Sequence, residues 1–202
     1  MARYTGPKIR LSRKFGEVLT PKAAKYLAKR NYRPGMHGQN PQRVSEFGAQ
    51  LREKQKAKAI YGIMEKQFRR YYEKASKKVG VTGDALLELL EKRLDNVVFR
   101  LGFALTRPQA RQLVTHGFFE VNGKKVNIPS YDVAVGDEVR IREAKKKTGY
   151  IKNLIPTLAN AKTVEWVFLD AKNLSGKVLS KPIKDQIDQT INTQLIVEHY
   201  SR

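Results

Sequence analysis

Apolar and polar positions follow two periods along this chain, one helical and one strand-like, with the change near residue 117. Thr20-Pro21 opens a short helix over 22–30, because a proline in the first turn occupies a position whose amide has no intrahelical partner. Ser45 caps a longer helix through Gln50, Leu51, Lys54, Lys58 and Ile60 that stops at Gly62, and a third runs over 64–79 to Gly80. Thr82-Gly83-Asp84 restarts the chain. Leu86, Leu87, Leu89, Leu90, Leu94, Val97, Val98 and Leu101 then recur at helical spacing up to Gly102, predicting the core. Thr106, with Pro108 behind it, caps a further helix that carries Ala110, Leu113 and Val114 inward and ends at Gly117.

After Gly117 the period shortens. Phe118-Phe119-Glu120-Val121 predicts a strand, Asn122-Gly123 a type I′ hairpin turn, and Lys124-Lys125-Val126 the return. Val139-Arg140-Ile141-Arg142 alternates as another strand, while Trp166-Val167-Phe168-Leu169 and Leu195-Ile196-Val197 read as short apolar strands or strand-like packing segments with polar loop between them. The predicted class is α+β: a helical N-terminal domain plus a small α+β unit in which a helix pair packs on a small antiparallel sheet. Four segments follow: a basic extended arm with a short helix over 1–44, a helical domain over 45–93, the α+β unit over 94–150, and a 151–202 segment packing back on the N-terminal domain.

Charge narrows the function. The 202 residues carry forty Lys and Arg against nineteen Asp and Glu, a net +21, and residues 1–83 alone hold +16 of it. A compact state with that self-repulsion calls for a polyanion partner. Phe15, Tyr26, Tyr32, Phe47, Tyr61, Phe68, Tyr71 and Tyr72 punctuate the basic segment, and disordered tails are depleted in aromatics. The expectation is therefore a folded module facing RNA or DNA. The longest apolar runs fall far short of the roughly 18 residues of a membrane span, and Met1-Ala2-Arg3-Tyr4 lacks a secretory signal's apolar stretch. A cytosolic or organelle-matrix protein without a membrane partner is expected.

Candidate chemistry adds little to this. Cysteine is absent, which excludes disulfides, thiolate zinc sites and cysteine nucleophiles. Ser175-Gly176-Lys177 misses the phosphate-loop pattern, since Ala171 replaces its first glycine and Val178 follows the lysine. His37, His116 and His199 have no metal-ligand neighbour at helical spacing, and Asp95 beside Arg93 and Arg100 suits a structural ion pair. No catalytic residue, cofactor, metal or small-molecule substrate is expected. The densest polar feature is Thr106 to Gly117 with the hairpin after it, where Arg107, Gln109, Arg111 and Gln112 share a helix and Asn122, Lys124 and Lys125 a turn. Guanidinium forks suit phosphates, so the constellation predicts a backbone-reading surface.

Leu94-Asp95-Asn96-Val97-Val98-Phe99-Arg100-Leu101-Gly102, Ala110-Arg111-Gln112-Leu113-Val114, Val121-Asn122-Gly123 and Val126-Asn127-Ile128-Pro129-Ser130-Tyr131 resemble the RNA-binding domain named after ribosomal protein S-four. Met1 to Lys8, Pro34-Gly35-Met36-His37-Gly38, Gln50 to Lys56 and Leu195 to Arg202 extend the resemblance to the S-four ribosomal family across nearly the whole chain, most weakly over 151–190. The resemblance implies a structural constituent of the small (30S) subunit. Such a protein binds the 5′ domain of 16S rRNA at a multi-helix junction, nucleates assembly of the body, and contacts protein S-five. With S-five and S-twelve it influences decoding accuracy, and some members line the messenger RNA entry channel or repress their own operon. A non-ribosomal RNA-binding regulator, or an RNA-modifying enzyme with the same domain as an appendage, is the alternative.

By the same resemblance Arg107, Arg111, His116, Asn122 and Lys124 are RNA contacts, and Arg3, Lys8, Arg10 and Arg13 form an arm laid on RNA. Tyr4, Arg33, His37, Gln39, Arg43, Arg52, Lys54, Gln55, Lys56, Lys58, Arg69 and Arg70 complete the RNA-facing set, with Gln109, Gln112 and Lys125. Phe47, Gln50, Glu198 and Tyr200 are the candidates for the S-five interface. Some members hold the first forty residues with a cysteine zinc site; without cysteine, Tyr26, Tyr32 and RNA are expected to hold this region. Ser180-Lys181-Pro182-Ile183-Lys184-Asp185 stands where the family often has Arg-x-Pro-x-Arg.

Overall fold

A computed structural model describes residues 3–40, 43–158, 163–183, 186–187 and 190–202. Met1-Ala2, Pro41 of the Gly/Pro loop and Lys184-Asp185 lie outside these. The chain forms two compact units, one of 1–86 with 189–202 and one of 87–188.

The first unit is helical: α1 (Lys8–Phe15), α2 (Pro21–Lys29), α3 (Glu46–Tyr61), α4 (Glu65–Ser76), the start of α5 (Thr82–Glu91), and α10 (Thr193–Tyr200) at the chain's end. The arm expected to be extended is helical from Lys8, because Ser12 and Phe15 bury one face and Gly16 (φ 79°) closes the helix in the left-handed region. Ser45 caps α3 by accepting from the Gly48 amide at 3.2 Å. Phe68, Ala23, Ala57 and Ala75 are fully buried, and Ile60, Tyr61 and Tyr71 nearly so.

Residues 195–197, expected as a strand, lie inside α10. The run of β-branched residues suggested extension, but the Asn192 side chain caps the Gln194 and Leu195 amides and buries Thr193 and Ile196 three residues apart. α10 lies along α3, and Gly83 admits it: a Cβ there would stand 2.6 Å from Thr193 Oγ1.

The second unit holds α6 (Leu94–Arg100), α7 (Arg107–Thr115), β1 (Phe119–Val121), β2 (Lys124–Lys125), β3 (Glu138–Ile141), α8 (Glu143–Lys146), α9 (Gly149–Leu158), β4 (Val167–Asp170) and β5 (Ser175–Val178). The sheet is antiparallel with order β2-β1-β3-β5-β4. The predicted pair α6–α7 packs together over a core that includes Val97, Val98, Phe103, Val114, Phe119, Val139, Ile141 and Trp166.

Three further features differ from the sequence reading. The apolar run 86–101 is not one helix: Arg93 is extended (φ −66°, ψ 137°) and pairs with Asp132, while the Leu94 amide bonds Tyr131 and the Val133 amide bonds Lys92. β5 lies in the stretch read as loop, where Gly176 sits against the side chain of Leu101. Residues 151–188 belong to the α+β unit, so the return to the N-terminal domain is made by the last fourteen residues.

Candidate nucleic-acid interface

In the second unit, the side chains expected to face RNA divide into those the protein engages and those left toward solvent. Thr106 accepts from the Gln109 amide at 3.3 Å, and the Gln109 side chain accepts from the Leu105 amide at 3.0 Å, so Gln109 is part of the cap. Arg107 points inward. Its Nε donates to Asn96 Oδ1 at 2.7 Å, its guanidinium lies 3.9 Å from Glu91, and it covers the Phe99 ring at 4.6 Å. Glu91 is the centre of this network: fully buried, it also accepts from Asn96 at 2.6 Å and from Arg100 at 2.9 and 2.8 Å.

Arg100 therefore serves Glu91, and Asp95 takes the expected ion pair from Arg93, at 2.7 Å. Burial pushes the Asp95 carboxyl up against the opposing pull of Arg93 and Arg111. Arg111 is half-buried beside it.

Gln112, His116, Lys124 and Lys125 are exposed. They occupy the last turn of α7, its C-cap and the hairpin. Asn122 (φ 49°) and Gly123 (φ 76°) make the expected tight turn. The Asn122 amide is a brace: it donates to Asp137 at 2.8 Å and accepts from the Glu138 amide at 2.9 Å. Sequence reasoning missed Arg142 and Lys145, which the fold brings to the same place. Arg142 donates to the Gly117 carbonyl at 3.2 Å, and Lys145 lies over the Phe118 ring at 5.2 Å. The alternation Val139-Arg140-Ile141-Arg142 signalled a strand, but only the register of β3 beside β1 shows where Arg142 ends.

In the first unit, Arg3, Tyr4, Arg10, His37, Gln39, Arg43, Arg52, Arg69 and Arg70 are exposed, Arg69 being paired with Glu73 at 3.2 Å. Lys8 is half-buried, and burial and then Arg3 pull its pKa down. Arg13 donates to the carbonyls of Tyr32 and Arg33 at 3.2 and 3.3 Å and stacks on Tyr32, tying α1 to the half-buried Arg33. Tyr32 thus holds this region as expected, whereas Tyr26 is 48% exposed.

The basic run of α3 departs most from expectation. Lys54 is buried with Glu65 at 3.1 Å, Lys58 bonds Glu65 at 2.6 Å and Gln55 at 3.3 Å, and Lys56 bonds Glu17 at 3.0 Å and the Thr190 carbonyl. Side chains four apart share a helix face, and here that face meets α4 rather than solvent. Lys22, Lys25 and Lys29 of α2 are exposed and were missed; their i, i+3, i+7 spacing was the available signal.

The four interface candidates meet within this unit. Gln50 donates to Glu198 at 3.1 Å, Phe47 lies 5.5 Å from His199, and Tyr200 stacks on Tyr72 at 4.6 Å while donating to Glu65 at 2.8 Å. Burial opposes ionisation of Glu65, but hydrogen bonds from Lys58, Tyr200 and Lys54 hold its pKa at about 2. Burial and Glu65 push Tyr200 up.

A basic helical unit and an α+β unit with exposed cations at a helix end and hairpin fit the class of nucleic-acid-binding proteins. Residues 3–91 match the family described as Ribosomal protein S4/S9 N-terminal domain, and residues 92–139 match the S4 domain. Curated relatives named small ribosomal subunit protein uS4 are similar over the full length of both chains. Those of Roseiflexus castenholzii, Desulforamulus reducens and Acetivibrio thermocellus are 52%, 51% and 50% identical. The chain belongs to the S4 family of small-subunit ribosomal proteins. Among the described residues no helix is long and apolar enough to cross a membrane.

Proposed function

We propose that this chain is a structural constituent of the 30S subunit that binds the 5′ domain of 16S rRNA early and nucleates assembly of the subunit body. The observation that carries the reading is likeness at about half identity to uS4 proteins along the entire chain. The exposed cations support it, because RNA helices are recognised mostly by backbone and shape. In this reading Gln112, His116, Lys124 and Lys125 meet phosphates from the second unit. Arg3, Tyr4, Arg10, His37, Gln39, Arg43, Arg52, Arg69 and Arg70 do so from the first.

Arg107, Arg13, Lys54, Lys56 and Lys58 position these elements through protein partners, as Gln109 and Asn122 do through caps and turns. Protein S-five meets the seam of α3 and α10, where Phe47 is 49% exposed and Gln50, Glu198 and Tyr200 set the surface behind it. With S-five and S-twelve the chain influences decoding accuracy beside the messenger RNA entry channel. Its role is one of binding, on ribosomes of the cytoplasm or of a bacterial-type organelle.

The test is binding of the full-length protein to isolated 16S 5′-domain RNA across a salt titration, with tRNA in excess. Selective binding that survives the competitor is expected. Equal binding to both RNAs, vanishing together with salt, would leave only a basic protein.

A further inference from the structure

α2 carries an aromatic ring and three lysines on one stripe that the protein itself leaves unused. Lys22, Lys25, Tyr26 and Lys29 follow the i, i+3, i+4, i+7 pattern, which places them within an arc of about 100° on the helix. All four are exposed, Tyr26 by 48%. Among the described residues none of the four side chains has an ion pair, hydrogen bond or ring contact. Their helix is nonetheless seated. Ala23 is fully buried and α2 packs along α1, while Arg13 ties back the chain beyond α2 through the carbonyls of Tyr32 and Arg33.

The surroundings carry one sign of charge. No Asp or Glu occurs between Glu17 and Glu46, whereas Arg30, Arg33 and Arg43 add to the three lysines. Such a stripe repels a basic partner and attracts a polyanion. The ring offers what a phosphate does not use: a bare aromatic face beside cations, on which an unstacked base sits while its flanking phosphates are neutralised. Two other exposed rings lack this setting. Phe47 directly follows Glu46 and lies 5.5 Å from His199, and Phe168 shares its strand face with Asp170.

We propose that α2 is a docking platform for one unpaired nucleotide of RNA. Its base stacks on the Tyr26 ring, and oxygens of the neighbouring phosphates accept from Lys22, Lys25 and Lys29. The proposal rests on the reading of the chain as a ribosomal RNA binder and adds the kind of RNA that α2 engages, a splayed base at a loop or junction. Every base has a π-face, so the platform selects for an unpaired nucleotide and not for its sequence.

The test uses the full-length protein and 16S 5′-domain RNA. Tyr26→Ala is expected to weaken binding about 5- to 150-fold, the loss of one base–aromatic stack, with the log–log salt slope unchanged. Tyr26→Phe is expected to bind as the unaltered protein does, since the ring and not the hydroxyl carries the contact. The Lys22→Gln/Lys25→Gln/Lys29→Gln variant is expected to show a slope shallower by about 1.4–2.7, two to three phosphates' worth. Tyrosine nitration read by mass spectrometry is expected to modify Tyr26 in the free protein and to find it protected severalfold in the complex. If a variant fails to fold, the protection measured on the unaltered protein decides. Selective RNA binding with Tyr26 nitrated as readily as in the free protein overturns the platform and leaves the ribosomal reading standing. Unchanged affinity in a folded Tyr26→Ala variant, or an unchanged slope in the folded lysine variant, does the same. So does protection seen only in whole small subunits, which would assign the stripe to a protein neighbour. Failure of the unaltered protein to prefer this RNA over tRNA overturns both.

Discussion

Replacing Glu91 by Gln neutralises a carboxylate with no solvent exposure that joins α5, α6 and α7. The carboxylate accepts from Asn96 at 2.6 Å and from both Nε and Nη2 of Arg100, whose side chain is itself only 11% exposed. Removing one partner of a buried ion pair costs about 3–5 kcal/mol, because the remaining charge stays desolvated. Gln keeps one acceptor for Arg100, which places the expected loss near the low end, about 3 kcal/mol. With a urea dependence of about 2 kcal/mol/M, the unfolding midpoint of this unit falls by about 1.5 M. Trp166 is the only tryptophan in the chain and is fully buried in the second unit's core, so its fluorescence follows this unit. Combining Glu91→Gln with Arg100→Gln is expected to cost less than the sum of the two. A midpoint shift under about 0.3 M, or strict additivity, would refute the network as the clamp on α7.

Gly176→Ala drives a Cβ into Leu101 Cδ2 in the core and is expected to cost about 1–3 kcal/mol. Trp166 fluorescence in a thermal melt checks it, and combining it with Leu101→Ala should cost less than the sum of the two single changes. Arg107→Ala removes the bond to Asn96 and is expected to destabilise the second unit by about 1–2 kcal/mol while leaving the RNA salt slope unchanged. Lys124→Gln should do the reverse, and a shallower slope for Arg107→Ala would return that residue to the RNA surface. Because Glu65 is held at about 2 against an ordinary 4.5, its contribution to stability is present above pH 4.5 and is lost as pH falls toward 2. Circular-dichroism melts should therefore show Glu65→Gln less stable than the unaltered protein at pH 5 and converging with it by pH 2; a constant gap would sink this account.

The caps and glycines made most helices legible: Ser45, Thr106 and Gly62 act locally, and local signals survive in a sequence, whereas α1 before Gly16 was read as an extended arm. The Asn122-Gly123 hairpin was equally plain, since only those residue types accept two positive φ angles cheaply. β5 was hidden because Ser175-Gly176-Lys177 has neither alternation nor branching; it is a strand because β3 and β4 pair with it on both sides. The site was half legible. Net charge pointed to a polyanion, but charge on a helix does not say which lysine faces a carboxylate. Lys54, Lys58 and Arg107 were candidates by type, and their partners Glu65 and Glu91 come from elements packed in three dimensions. Arg142 and Lys145 reach the hairpin end of the unit only through the pairing of β3 with β1.

The most direct test of the central claim is sedimentation of the tagged, full-length chain, expressed in a bacterium, through a sucrose gradient after a high-salt wash. Co-migration with small subunits and with the 16S rRNA they contain is the predicted result. Recovery at the top of the gradient, while other small-subunit proteins stay with the particle, would contradict it.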